Sequence, residues 1–173
     1  MLKFSDIPQF IDRSQCYHVN YGIVGYLQWI RNEQNEYGLE MNPEFQRGHV
    51  WTIEQQIKYV EFILSGGQTG RDFYFNKKHL YSNQNAINEY VCVDGLQRTT
   101  ALQKFINNEI KVFNQYYNDF DRRLNKIEYT VSIYINELKT DKEIFTWYIQ
   151  FNDGGTIHSK KEIKRVKDLL SKL

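Results

Sequence analysis

The sequence has few of the residues that mark linkers, disulfide scaffolds or membrane spans. Among 173 residues there are two Pro, two Cys and two Ala, and no segment is rich in Pro, Gly or Ser. The thiols of Cys16 and Cys92 cannot build a disulfide framework, and their separation is not that of a metal-binding pair. No apolar run approaches the ~18 residues of a membrane span, and the N-terminus lacks a signal-peptide pattern. We therefore expect a soluble, cytoplasmic protein that does not contact a membrane.

The sequence also has almost no net charge, because 22 Lys and Arg face 21 Asp and Glu. This balance disfavours a basic protein that coats nucleic acid non-specifically, but it leaves a local basic patch open. Residues 158–173 form one such patch, with six basic and two acidic side chains. It is either a solvated helix face or a surface that contacts DNA phosphates. The candidate DNA contacts are Lys160, Lys161, Lys164 and Lys167.

Several motifs of well-known sites are missing. There is no G-x-x-x-x-G-K-[ST], G-x-G-x-x-G, H-E-x-x-H or G-x-S-x-G segment. The four His residues are scattered along the chain, so no clustered metal site is predicted. The residues of an HNH-type nuclease centre are lacking as well.

Hydrophobic residues make up 41% of the chain, which is enough for a buried core, and five segments place them at helical spacing. Two of these segments open with a capping box, Thr52 with Gln55 and Ser159 with Glu162. The third helix is expected to open at Gly95 and the fourth after Asp141. The predicted apolar faces are, in chain order, Ile23, Leu27 and Ile30; Ile53, Ile57, Val60 and Leu64; Leu102, Phe105 and Ile106; Ile144, Trp147, Tyr148 and Phe151; and Ile163, Val166 and Leu170.

Short β-prone segments lie between these helices. Strands are predicted over 72–76 and 89–93, and residues 127–135 alternate apolar and polar side chains with the period of a half-buried strand. Residues 109–113 are a further candidate strand, and the polar residues 77–88 are predicted as a surface loop. Because helices and strands do not alternate strictly, we predict an α+β fold, with a mixed sheet and flanking helices in one domain over 1–173.

The segment Asp94-Gly95-Leu96-Gln97-Arg98-Thr99-Thr100 carries the most specific chemical signal. It follows the apolar strand and precedes a helix, so backbone N–H groups and the positive end of a helix dipole meet there, as in an anion site. The guanidinium of Arg98 suits phosphate, and the two threonines add hydroxyls. Asp94 is a candidate either to hold a divalent cation such as Mg²⁺ against that phosphate or to orient water. The alternative is structural: Asp94 is a helix N-cap and Arg98 is exposed.

Two further segments add polar groups to this candidate. In residues 42–51, Pro43 fixes an extended entry and the polar pair Gln46 and Arg47 stands just before a capped helix. In this segment Trp51 is interpreted as a core residue rather than a stacking platform. In residues 151–156, Asn152 is followed by Gly154 and Gly155, whose backbone can approach a ligand closely. A helix C-cap and turn explain this last segment equally well.

Together the three motifs resemble the domain family at the N-terminus of GmrSD-type restriction enzymes, which is related to the ParB/sulfiredoxin fold. The family signature is D-G-Q-Q-R, preceded by an N-P-x-x-Q-R-x-x-V-W box and followed by an F-N-x-G-G turn. The chain carries D-G-L-Q-R over 94–98, N-P-E-F-Q-R-G-H-V-W over 42–51 and F-N-D-G-G over 151–155. The chain departs from the signature at Leu96, which stands where the family has its first Gln.

The resemblance implies a pocket for a nucleoside triphosphate with Mg²⁺, whose hydrolysis is linked in relatives to DNA restriction or nicking. It implies that Asp94, Gln97 and Arg98 are the catalytic and phosphate-binding residues. Gln46 and Arg47 are then expected across the pocket from Arg98. The implied nucleotide-binding residues are Gln46, Arg47, Gly95, Arg98, Thr99, Thr100, Asn152, Gly154 and Gly155. Multidomain relatives continue into an HNH nuclease domain, so we expect no cleavage by that centre from these residues.

Two classes of function therefore stay open at the level of sequence. One is a Mg²⁺-assisted nucleoside triphosphatase, with or without nuclease activity. The other is a binding module that holds a nucleotide or a DNA backbone without turnover and acts as a sensor or antagonist of a restriction system. The implied partners are a nucleotide, DNA and a restriction-system protein. Fold similarity alone does not choose between these classes.

Overall fold

A computed structural model describes residues 3–7, 16–46, 48, 50–80, 89–121, 129–153 and 160–171. In these ranges it contains four strands and five α-helices, together with short 3₁₀ turns. The strands are β1 (Cys16–Gly22), β2 (Asp72–Lys77), β3 (Tyr90–Asp94) and β4 (Thr130–Asn136). The helices are α1 (Ile23–Tyr37), α2 (Ile53–Leu64), α3 (Leu96–Ile106), α4 (Asp141–Asp153) and α5 (Lys160–Leu170).

The four strands form one mixed sheet in the order β1-β4-β2-β3. β1 pairs antiparallel with β4, and β2 pairs antiparallel with β3. The central pair, β2 and β4, is parallel, with Phe73 opposite Ile133. The predicted α+β class is therefore confirmed, as a mixed sheet with helices around it. The likeness to the ParB/sulfiredoxin fold stays a prediction.

Helices cover both faces of the sheet, as the alternation of side chains in β3 shows. Tyr90 and Cys92 point into a core shared with α1, α2 and α3, whereas Val91 and Val93 point into a second core with α4 and α5. Successive side chains of a strand point to opposite faces, so a strand that is apolar at every position is buried on both sides. The end of β3 therefore lies between two helical layers.

The predicted helices are confirmed, and α2 has the expected capping box of Thr52 and Gln55. The predicted apolar face of α2 is wrong at its start, because Ile53 is 56% exposed while Gln56, Val60 and Ile63 are buried. The helix is rotated so that a polar side chain enters the core. α4 has a capping box that the sequence reading missed, in which Thr140 and Glu143 exchange hydrogen bonds. The predicted cap at Ser159 lies outside the described residues.

The predicted strands at 72–76 and 89–93 are confirmed as β2 and β3, and the alternating segment forms β4 from Thr130 onward. The candidate strand over 109–113 is wrong. Val112 pairs only with Gln115, around a two-residue turn in which Phe113 and Asn114 both have positive φ. β1 was not predicted, although Tyr17, Val19 and Tyr21 alternate with the polar residues His18 and Asn20 in the pattern of a half-buried strand.

Candidate functional site

The motif at 94–100 lies where β3 ends and α3 begins. Asp94 is the last residue of β3, and Gly95 is the N-cap of α3 with φ 133°. Residues other than glycine rarely adopt this backbone conformation. A Cβ at Gly95 would also lie 2.6 Å from a ring carbon of Phe73. The glycine therefore allows the sheet and the helix to meet at a sharp corner. Gly95, rather than Asp94, caps the helix.

Asp94 and Arg98 form an ion pair across this corner, with Nη2 of Arg98 2.5 Å from Oδ2 of Asp94. The spacing of four residues brings the first turn of α3 back over the end of β3. The Arg98 side chain is only 17% exposed and that of Asp94 is 29% exposed. The structural alternative of an exposed Arg98 is therefore wrong. The two residues, together with Gly95, are called the candidate site below.

Aromatic side chains enclose the guanidinium of Arg98. Its central carbon lies 5.2 Å from the ring centroid of Phe73, in a cation–π contact. Tyr59 stands nearby and donates its hydroxyl to the carbonyl of Gly70, at 2.9 Å. Burial disfavours the charged form of Arg98, but Asp94 and Tyr59 more than compensate, so the pKa of Arg98 is raised. Arg98 is thus a fixed positive charge beside an apolar wall.

Cys92 lies beneath this corner and is completely buried. Burial is the main reason why the pKa of its thiol is raised, and the charge of Asp94 adds to the effect. A neutral, buried thiol is a poor nucleophile. Cys92 therefore belongs to the core and not to the chemistry of the candidate site.

Gln97 points away from Arg98 and holds the segment that leads into α2. Its amide oxygen accepts hydrogen bonds from the backbone N–H groups of Val50 and Trp51, each at 3.1 Å. Its amide nitrogen donates to the carbonyl of Gly48 at 2.5 Å. The predicted catalytic role of Gln97 stays a prediction, and in this structure its amide binds backbone. Trp51 packs against the core and meets the ring of Tyr59 edge-on, as expected for a core residue.

The side chain of Gln46 binds the end of β3. Its amide nitrogen donates to the carbonyls of Cys92 and Val93, at 2.8 and 3.0 Å, immediately before Asp94. The predicted motif at 42–51 is therefore attached to the same strand end as the motif at 94–100, although the two are far apart in sequence. Arg47 lies outside the described residues, so its place opposite Arg98 stays a prediction.

The hydroxyl groups of Thr99 and Thr100 both donate hydrogen bonds to backbone carbonyls four residues earlier in the chain. Thr99 is 1% exposed, and its hydroxyl donates to the carbonyl of Gly95 at 2.9 Å. The same oxygen lies 2.6 Å from the hydroxyl oxygen of Tyr26 in α1. Thr100 donates its hydroxyl to the carbonyl of Leu96. Their predicted contact with phosphate is untested.

The third motif and the basic segment are described only in part. Gly154 and Gly155 lie outside the described residues, and of Asn152 only its place near the end of α4 is described. Lys160 and Lys161 begin α5, and the side chains of Lys164 and Lys167 are exposed. The predicted DNA contacts of this helix stay a prediction.

A comparison with family models finds one that matches residues 26–167, described as the N-terminal domain of the GmrSD restriction endonuclease. The match covers most of the chain and contains all three motifs. The chain belongs to this family. Comparison with curated proteins finds no match, and comparison with solved structures finds none either.

The matched region of this GmrSD-type domain begins inside α1 and ends inside α5, so it contains the whole candidate site. Within the described part of the chain, no helix is long and apolar enough to cross a membrane. The described residues also hold no group of three or more His, Cys, Asp or Glu side chains placed to bind a metal ion. Asp94 is a single carboxylate, which fits a Mg²⁺ ion that takes most of its ligands from phosphate and water.

Sequence reasoning missed the residues that enclose Arg98 in this domain. Tyr59, Gly70 and Phe73 come from α2, the following loop and β2. The cluster Gly66, Gly67 and Gly70 was a usable signal, because closely spaced glycines mark a tight loop that approaches other groups. Tyr59 and Phe73 gave no such signal, since aromatic residues at these spacings are also typical of any core.

Proposed function

We propose that the candidate site binds the phosphates of a nucleoside triphosphate with Mg²⁺, and that the domain serves DNA restriction or defence against phage. The observation that carries the proposal is the small number of hydrogen bonds that the largely buried Arg98 guanidinium makes. Among the described residues its guanidinium makes one hydrogen bond, to Asp94, although a guanidinium carries five N–H donors. A largely buried Arg with unused donors at a helix N-terminus suits a phosphate group.

Asp94 gives the site a second function in this proposal. Without a ligand, its carboxylate balances the charge of Arg98 in a poorly solvated corner. A phosphate group brings its own negative charge, and a Mg²⁺ ion on that phosphate binds carboxylate oxygens well. With such a ligand bound, Asp94 would be the residue that holds Mg²⁺ and Arg98 the residue that donates hydrogen bonds to the phosphate. Binding of the nucleotide is therefore expected to depend on Mg²⁺.

The link to restriction comes from the family, whose name describes a restriction endonuclease. Hydrolysis is proposed as the use of the site, for which Asp94 would hold Mg²⁺ and Mg²⁺ would supply positive charge beside the phosphates. The alternative is a sensor that binds a nucleotide or a DNA backbone without turnover. Two features favour this alternative: Leu96 stands where the motif has a polar Gln, and the amide of Gln97 is already bonded to backbone.

Calorimetric titration with each of the four nucleoside triphosphates, with and without Mg²⁺, tests the binding. The proposal expects saturable binding of at least one nucleotide that strengthens when Mg²⁺ is present. Absence of binding to all four in both conditions would contradict it. Measurement of phosphate release under the binding conditions then separates the triphosphatase from the sensor, because only the triphosphatase releases phosphate.

A further inference from the structure

Arg165 is a basic residue of the segment 158–173 whose side chain binds another part of the protein. It lies on α5, and its guanidinium donates to three successive backbone carbonyls of the segment that carries Gln46. Nη1 donates to Glu44 at 2.7 Å, and Nη2 donates to Phe45 and Gln46, each at 2.8 Å. A planar fork of donors matches this row of carbonyls in a way that a single ammonium group does not.

The segment 44–46 that Arg165 holds is attached to the rest of the molecule at two other points. Phe45 is buried, and its ring packs 5.3 Å from the rings of Phe145 and Tyr148 in α4. The amide of Gln46 binds the two carbonyls of β3 that precede Asp94. Movement of the segment would therefore remove Gln46 from the strand that ends in the candidate site.

α5 is itself fixed to the core. Val166, next to Arg165, is completely buried, and Leu169 and Leu170 pack against the cluster formed with α4. Arg165 is exposed overall, like Lys164 and Lys167 on the same helix, but its guanidinium lies against the carbonyls of the segment 44–46. Arg165 thus binds the segment 44–46 from a helix whose apolar side is buried against the core.

We propose that Arg165 is a positioning residue of the candidate site, which links the placement of α5 to Gln46 and so to the end of β3. This inference rests on the proposed function, because its consequence is a change in nucleotide binding. It also gives α5 a role that its basic charge did not suggest. An event that shifts α5 would reach the candidate site through Arg165, without contact between α5 and the nucleotide.

The test uses the variants Arg165→Ala and Arg165→Lys, with Arg31→Ala as the control, since Arg31 is an exposed arginine on α1. Two quantities are measured: hydrogen exchange of the backbone amides over 43–46, and the affinity for the Mg²⁺–nucleotide that the wild type binds. Arg165→Ala is expected to speed exchange in this segment and to weaken the nucleotide about tenfold, as for residues of one hydrogen-bond network. Arg165→Lys is expected to fall between the wild type and Arg165→Ala.

Chemical rescue distinguishes positioning from a general loss of structure. Millimolar guanidinium ion should restore part of the affinity of Arg165→Ala and should leave Arg31→Ala unchanged. If the wild type binds a nucleotide and Arg165→Ala binds it equally well, the inference is wrong while the proposed function stands. If Arg165→Ala weakens binding and guanidinium restores nothing, positioning by the guanidinium is wrong. If the wild type binds no nucleotide, the proposed function and this inference fail together.

Discussion

The hydroxyl groups of Tyr26 and Thr99 join α1 to the first turn of α3 inside the core. Because Thr99 donates its hydroxyl hydrogen to the carbonyl of Gly95, the Tyr26 hydroxyl is the donor in the 2.6 Å contact between them. Both side chains are almost completely buried. This hydrogen-bonded pair stabilises the start of α3, which carries the candidate site. The free energy of unfolding that is lost when the pair is removed therefore measures its contribution to that part of the fold.

Substitution of Thr99 by Val should destabilise the protein by about 1–3 kcal/mol, because it leaves the buried Tyr26 hydroxyl without an acceptor. Tyr26→Phe should cost less, about 1 kcal/mol, since Thr99 keeps its bond to Gly95. The double variant should be destabilised by clearly less than the sum of the two single changes. Urea denaturation of the three variants gives these values. Strictly additive costs would show that the hydroxyls do not interact.

Single residues also show where sequence reasoning about the site reached its limit. The motif at 94–98 indicated a strand end, a glycine and a helix start, and the structure has all three. It could not tell which way each side chain of the first turn points. Successive helical residues are about 100° apart. Arg98 therefore faces Asp94, Gln97 faces the segment before α2, and Thr99 faces the core.

Among the elements, Arg71 joins the end of α2 to the starts of β2 and β4. Its guanidinium donates to the carbonyls of Ile63, Gly67 and Thr130, at 2.9, 2.5 and 2.9 Å. The backbone carbonyl of Arg71 also accepts a hydrogen bond from the N–H of Ser132. One side chain thus satisfies the C-terminal carbonyl of a helix and holds the loop that borders the candidate site.

Arg71→Lys should lower the free energy of unfolding by about 1.5–3 kcal/mol, because an ammonium group cannot span three carbonyls on separate elements. The measurement is the urea midpoint, at an unchanged slope of free energy against denaturant. Arg31→Lys is the matched control on an exposed surface and should change stability by less than ~0.5 kcal/mol. An equal, small effect of both substitutions would show that the contacts of Arg71 do not stabilise the fold.

The start of α4 carries a pH-dependent cap. Glu143 accepts hydrogen bonds from the backbone N–H groups of Thr140 and Lys139, and the first of these is the main reason why its pKa is lowered. A carboxylate whose pKa is lower in the folded state contributes stability above its unfolded pKa. That contribution is lost as the pH falls through the folded pKa.

Glu143→Gln should therefore be less stable than the wild type at neutral pH, by about 0.3–1 kcal/mol, because the amide has no charge to place at the helix N-terminus. The difference should be full above about pH 4.3, the usual value for an unfolded Glu, and should close at more acidic pH. Thermal denaturation of both proteins across this range measures the gap. A gap that stays constant down to strongly acidic pH would exclude the charge of Glu143 as its source.

At the level of elements, periodicity predicted the existence of the helices, and the capping box at Thr52 predicted the start of α2. The predicted apolar face of α2 was wrong at its start because Gln56 is buried and donates to the carbonyl of Trp51, so a polar residue takes a core position. Hydrophobic spacing cannot detect such a residue, since it scores Gln as solvent-facing. The turn at Phe113 and Asn114 was missed for a related reason, because bulky residues with positive φ are uncommon.

For the molecule as a whole, sequence reasoning reached the α+β class but not the order of the sheet. β2 and β3 are consecutive and pair, as sequence neighbours usually do. β4 then inserts beside β2, and β1 pairs with β4 across more than a hundred residues. These pairings depend on packing between distant segments, for which local patterns carry no information.

The same long-range packing brings the motif at 42–51 to the strand that ends in the candidate site. Gln46 binds β3, Arg165 binds the segment around Gln46, and the motif at 94–98 follows β3 directly. The expectation from the resemblance to the GmrSD N-terminal family, that Gln46 and Arg47 lie across the pocket from Arg98, stays a prediction. The contribution of α5 through Arg165 followed from no motif, because a basic residue in a basic segment gives no sign that it binds backbone carbonyls of another segment.

The most direct test of the proposed site is the affinity of Arg98→Ala for the Mg²⁺–nucleotide that the wild type binds. Lys104→Ala is the control, because it removes a positive charge from the other end of the same helix. If Arg98 makes a charged hydrogen bond to phosphate, its loss should weaken binding by ~1.5–3 kcal/mol, whereas Lys104→Ala should bind as the wild type does. Unchanged affinity in a folded Arg98→Ala protein would contradict the account.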